Sequence, residues 1–118
     1  YLIVSPSLWY SNDVMFRYEM EFAETRRPLP AAVYLSTGKD ESEQMLRTTG
    51  QMIRTLNERR YAGLKLKSAL PEGEHHRSVF PLAFTRGVQW LFGSPGKPLS
   101  KEEIFPDSDF SFRPWKSK

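Results

Sequence analysis

The chain contains no cysteine. Disulfides, thiolate-bound zinc and a cysteine nucleophile are therefore excluded. Long apolar runs are absent as well: none approaches the roughly 20 residues needed to span a bilayer. The start lacks a basic n-region, so it does not read as a signal peptide. A basic stripe with interleaved aromatics is also missing. The 17 Lys+Arg and 14 Asp+Glu give a net charge of +3, and the basic residues are scattered apart from Arg26-Arg27, Arg59-Arg60 and the tail. This pattern is that of an ordinary solvated surface, and it argues against nucleic acid and membrane as partners. Histidine is scarce, with only His75 and His76 in 118 residues.

What is present reads as globular: 39% hydrophobic, 26% charged and 14% aromatic residues. The length suits one domain or a piece of a larger one. Tyr1-Leu2-Ile3-Val4 opens inside an apolar run, with no initiator Met, so residues are expected upstream. Any targeting signal would lie with them, which leaves the compartment open between cytoplasm and periplasm.

The periodicity predicts an alternating order. Residues 1–5 form an apolar run suited to a strand buried on both faces, broken by Ser5-Pro6-Ser7. Ser11, Asn12 and Asp13 offer caps for a helix over residues 14–24, with Val14, Met15, Tyr18, Phe22 and Ala23 on one face. Residues 31–36 form a second apolar strand. A second helix is expected over residues 42–60, where Met45, Leu46, Thr49, Met52, Ile53 and Leu56 make a core stripe. Gly63 ends it. Residues 64–70 alternate apolar and polar, as a strand with one wet face near a sheet edge does. Residues 79–92 are helical in pattern, with Phe80, Ala83, Phe84, Val88 and Leu91 on the apolar face and Gly93 as the C′ residue. Residues 94–118 read as an extended aromatic and Pro-rich tail, or as the start of a further module.

Strand–helix alternation predicts an α/β fold, with a parallel sheet covered by helices in three αβα layers. In such sheets ligands lie beyond the carboxyl ends of the strands. Three loops would meet there. The first carries serines and Trp9, the second Asp40 and Glu41, and the third His75 and His76. Histidine takes and gives protons near neutral pH. A carboxylate beside it fixes the imidazole tautomer. An acid loop followed by a histidine loop is the back half of a Ser…Asp/Glu…His order. The nucleophile is what is lacking: there is no Gly-x-Ser-x-Gly elbow. Gly93-Ser94-Pro95-Gly96 has the wrong spacing, and Ser5 precedes a proline, so neither it nor Ser7 suits the role. A bland account also fits each residue. His75-His76 could be a solvated pair, Asp40 and Glu41 could serve the dipole of the next helix, and Trp9 could be core. Adjacent histidines rarely chelate one ion and no third ligand is evident, so no metal and no cofactor is expected.

Four segments together resemble the family of α/β-hydrolases that contains esterase D, feruloyl esterases and siderophore esterases. They are Tyr1-Leu2-Ile3-Val4-Ser5-Pro6-Ser7-Leu8-Trp9-Tyr10, then Val33-Tyr34-Leu35-Ser36-Thr37-Gly38-Lys39-Asp40-Glu41, then Gly73-Glu74-His75-His76-Arg77-Ser78-Val79, and finally Arg86-Gly87-Val88-Gln89-Trp90-Leu91-Phe92-Gly93. The resemblance implies that residues 1–93 are the C-terminal half of such a domain, with the serine elbow upstream. It implies His76 as the catalytic base, with His75 at a variable neighbouring position. It implies Glu41 as the acid with Asp40 in reserve, although some siderophore esterases manage with a Ser-His dyad. Trp9 and Ser7 would line the floor of the site or support the histidine, and His75 would lie near the substrate. The implied substrate is a small-molecule carboxylic ester. The implied partner is the upstream half or a second copy of the chain. The rival expectation is a non-catalytic binding module on the same fold.

Overall fold

The computed structural model of the protein describes residues 1–93. The expected tail over residues 94–118 lies outside the described residues. The order is β1 (Leu2–Val4), α1 (Tyr10–Glu24), β2 (Ala32–Ser36), α2 (Glu43–Arg59), β3 (Lys65–Ala69) and α3 (Val79–Phe92). The strands form one parallel sheet in the order β1-β2-β3. Leu2 pairs with Tyr34 and Val4 with Ser36, while Ala32 pairs with Lys65 and Ser36 with Ala69. The α/β alternation expected from the sequence is the fold.

β2 is the central strand, and both of its faces are covered. Tyr34 lies against α3, where its ring meets Trp90 at 6.2 Å between centroids. Side chains alternate along a strand, so Val33 and Leu35 face the other layer, and both are buried. α3 approaches the sheet through its smallest residues. Val79, Ala83 and Gly87, spaced four apart, are its buried positions. A β-carbon on Gly87 would stand 2.4 Å from Leu2 and 3.1 Å from Tyr34, so the helix sits as close as glycine permits.

The elements depart from the expected pattern in several places. Phe80 and Phe84, on the apolar face that the periodicity predicts for α3, are about half exposed and stack on each other outward. The small Ala83 and Gly87 win the sheet-facing side because they allow the closer approach. Gly93 closes α3 in an extended conformation rather than the left-handed one of a C′ glycine. The αL residue after α2 is Arg60, and Gly63, at φ 87, turns the chain further on. Ser11, Asn12 and Asp13 do not cap α1. Their φ values of 50, 55 and 59 are left-handed, so regular helix begins at Val14. α1 has no fully buried residue, and Met15, Tyr18 and Met20 stay exposed. β1, expected to be buried on both faces, is only half-buried, because among the described residues it pairs on one side alone.

α2 follows its pattern closely. The Ser42 hydroxyl accepts from the Met45 N–H as N-cap, and Met45, Thr49 and Met52 are buried. Among the described residues β3 is an edge strand, and its exposed Lys65 and Lys67 form a charge pattern that discourages edge-to-edge pairing. Among the described residues no helix is long and apolar enough to cross a membrane.

Candidate active site

Parallel strands bring the loops after β1, β2 and β3 to one edge of the sheet. The second and third loops are laced together by their backbones. Lys39 N–H donates to the Pro71 carbonyl at 2.9 Å, and Asp40 N–H donates to the Glu74 carbonyl at 2.9 Å. The side chains of Lys39 and Glu72 add an exposed ion pair. Gly38 makes this lacing possible. A β-carbon there would stand 2.2 Å from the Glu74 carbonyl oxygen and 3.1 Å from the His75 nitrogen, and a backbone atom cannot swing aside as a side chain can.

The result is a chain of polar contacts through Glu41. Its Oε1 accepts from the Gly38 N–H at 3.1 Å and from the Ser5 hydroxyl. Its Oε2 lies 3.0 Å from His76 Nδ1. The Glu41 side chain is 2% exposed and that of His76 is 66% exposed. Burial alone would raise the Glu41 pKa. The hydrogen bonds from Ser5, His76 and Gly38 outweigh it, and together with the charge of a protonated His76 they hold the carboxyl below its ordinary value. Glu41 is therefore ionised near neutral pH. An ionised carboxylate only accepts, so Nδ1 of His76 carries the proton and a neutral ring keeps its lone pair at Nε2. A buried anion fixing the tautomer of an exposed imidazole is the arrangement a general base needs.

The other candidate residues are distributed as follows. Asp40 is exposed, and it contributes its backbone N–H to the lacing rather than its carboxylate. Neither acid serves the α2 dipole directly: both precede the Ser42 cap, and the first-turn acid is Glu43. His75 is exposed, with its Nδ1 accepting from the Arg77 N–H at 3.2 Å and its backbone N–H donating to Ser78 Oγ at 3.1 Å. It shapes the loop that presents His76. Ser7 is exposed and gives its carbonyl to the Tyr10 N–H, while Trp9 is half-buried at the N-cap of α1. Among the described residues, neither side chain hydrogen-bonds to His76 or Glu41.

Sequence reasoning missed two contributors. Ser5 was weighed only as a nucleophile, yet its hydroxyl goes to Glu41 and not to the histidine. Gly38 stands in the sequence reading only as one residue of the segment from Val33 to Glu41. The available signal was that both stand at the carboxyl ends of strands, where the loops must approach one another. Among the described residues no group of three or more His, Asp or Glu could hold a metal ion.

No family model matches the chain, and no curated protein matches it. Among solved structures, it is similar to the crystal structure of BES protein from Bacillus cereus. The TM-score is 0.66 and the identity 27%, over 74% of this chain and 33% of that one. The chain thus spans about a third of that protein's length. The three parallel strands, the intervening helices and this likeness together make the chain an αβα unit of α/β-hydrolase-like fold.

Proposed function

We propose that the chain is the histidine- and acid-bearing part of a serine hydrolase, and that the reaction is hydrolysis of a small carboxylic ester of the siderophore-esterase type. One observation carries the reading: the buried, ionised Glu41 holds Nδ1 of the exposed His76 at 3.0 Å, at the carboxyl edge of a parallel sheet. In this reading a serine outside these 118 residues attacks the ester carbonyl. Nε2 of His76 takes the serine proton as the oxygen–carbon bond forms, then delivers it to the departing alkoxide as the ester C–O bond breaks. Water then attacks the acyl-enzyme, giving its proton to Nε2 of the same histidine, which returns it to the serine oxygen as the acyl–serine C–O bond breaks and the acid departs. Glu41 stays ionised throughout and stabilises the imidazolium. Backbone N–H groups outside this chain supply the oxyanion hole. The exposed apolar residues of α1 and the half-buried β1 suit contact with the remainder of such a domain, or with a second copy.

The test is direct. The full-length gene is read for a Gly-x-Ser-x-Gly elbow within roughly 150 codons upstream, in keeping with ordinary domain sizes. The full-length protein is then assayed for ester hydrolysis and for labelling by a fluorophosphonate, which marks an activated serine. His76→Ala is expected to lower kcat by at least about a thousandfold. Unchanged turnover in His76→Ala removes His76 from the reaction and overturns this reading, whereas the absence of any upstream elbow, or of any hydrolysis, points instead to a binding module on this fold.

A further inference from the structure

We propose that Ser5 is a positioning residue: its hydroxyl anchors the Glu41 carboxylate so that the free oxygen faces the His76 imidazole. The inference rests on the hydrolase reading above and adds a residue to it.

Ser5 directly follows β1 and is 8% exposed. Its N–H continues the sheet ladder, donating to the Ser36 carbonyl at 2.8 Å. Its φ of 47 is left-handed, which a residue with a β-carbon adopts reluctantly. Pro6 follows and restricts it further. Glycine would hold this backbone more easily than serine. An outlier of this kind points to a use for the side chain. Serine hydroxyls in turns ordinarily bond to neighbouring backbone. This one reaches a carboxylate 36 positions away.

The acceptor geometry explains why that matters. Glu41 Oε1 receives two donors, the Ser5 hydroxyl and the Gly38 N–H, and Oε2 is left for His76. With both contacts on Oε1, rotation of the carboxylate is restrained and its second oxygen has one direction. Without the hydroxyl, Oε1 of this almost fully buried carboxylate keeps only the Gly38 N–H at 3.1 Å, and its rotation is less restrained. The groups facing Glu41 come from three elements: Ser5 after β1, Gly38 after β2 and His76 after β3. Asp40 and the Lys39–Glu72 pair lie exposed in the same two loops.

The experiment compares Ser5→Gly, Ser5→Ala and Ser5→Cys in the full-length protein. Two quantities are read: kcat and KM for ester hydrolysis, and the titration of the Glu41 carboxyl by carbon NMR in glutamate-labelled protein. Ser5→Gly relieves the backbone and removes the hydroxyl. The positioning role therefore predicts that Ser5→Gly and Ser5→Ala each lose about tenfold in kcat with KM little changed, as expected for one charge-assisted hydrogen bond. In both, Glu41 titrates at higher pH than in the parent. Ser5→Cys, a weaker donor, falls between. A Ser5→Gly protein that matches the parent in kcat and in Glu41 titration overturns the proposal, because backbone geometry alone then accounts for position 5. A parent unaffected by His76→Ala instead overturns the hydrolase reading, and the positioning role with it.

Discussion

Glu41 sits where burial alone would raise its pKa, yet its pKa is held below the ordinary value because Ser5, His76 and Gly38 each direct a hydrogen at its oxygens. Asp40, its neighbour, is solvated and bonds to the other loop only through its backbone. The two acids should therefore separate cleanly. Glu41→Gln offers an amide that can present a donor to Nδ1 and favour the wrong tautomer. It is expected to lower ester turnover in the full-length protein by about a hundredfold or more, whereas Asp40→Asn stays close to the parent. Stability should follow the same logic. A carboxyl whose folded pKa is depressed stabilises the fold fully above its ordinary value of 4.5, and that contribution is lost as pH falls through the lower folded value. The stability gap between parent and Glu41→Gln should thus narrow on acidification below about 4.5. Urea unfolding across pH measures it. A gap independent of pH contradicts the assignment of a depressed Glu41 pKa.

At the scale of elements, the site exists because two loops approach as closely as their backbones allow. Gly38 is the hinge of that approach. Gly38→Ala sets a β-carbon 2.2 Å from a carbonyl oxygen that cannot rotate away. The loops must part, which breaks the Asp40-to-Glu74 hydrogen bond and draws His76 from Glu41. The expected loss is about 1–3 kcal/mol of stability, typical of forced overpacking. Turnover should fall as well, although Gly38 touches no reacting atom. A stable and fully active Gly38→Ala protein contradicts this account. The same close approach operates at Gly87, where α3 meets β1 and β2. That contact explains why the bulky Phe80 and Phe84, legible in the sequence as apolar, point outward: helical periodicity identifies an apolar surface, but the smallest side chains set which part of it docks.

For the whole molecule, the end of the sheet away from the loops that carry Glu41 and His76 is held by a separate polar cluster. Glu19 of α1 accepts from Arg59 Nε at 3.0 Å and from the Tyr61 hydroxyl at 2.7 Å, and Phe22 meets the Tyr61 ring edge-on at 5.4 Å. Burial first, then the hydrogen bond to Glu19 and its charge, push the Tyr61 pKa up to about 12. A raised phenol pKa means that the contribution is complete below the ordinary 10.0 and lost as pH rises toward about 12. Glu19→Ala is therefore expected to bring Tyr61 ionisation down toward 10.0 and to loosen α1 from α2. Phenolate absorbance against pH, with amide exchange in α1, checks both. An unmoved titration means that burial alone sets the value.

The order of strands and helices, the parallel sheet, a third strand with one wet face and the short set of residues that could do chemistry were all legible in the sequence. These follow from local periodicity, turn residues and the preferences of capping side chains, all of which act over a few positions. The fold was needed to show which acid meets which histidine nitrogen, that Ser5 rather than Ser7 reaches the acid, and that Gly38 lets the loops touch. Those contacts join positions 5, 38, 41 and 76. They depend on strand register and on how closely separate loops approach, which no stretch of neighbouring residues encodes.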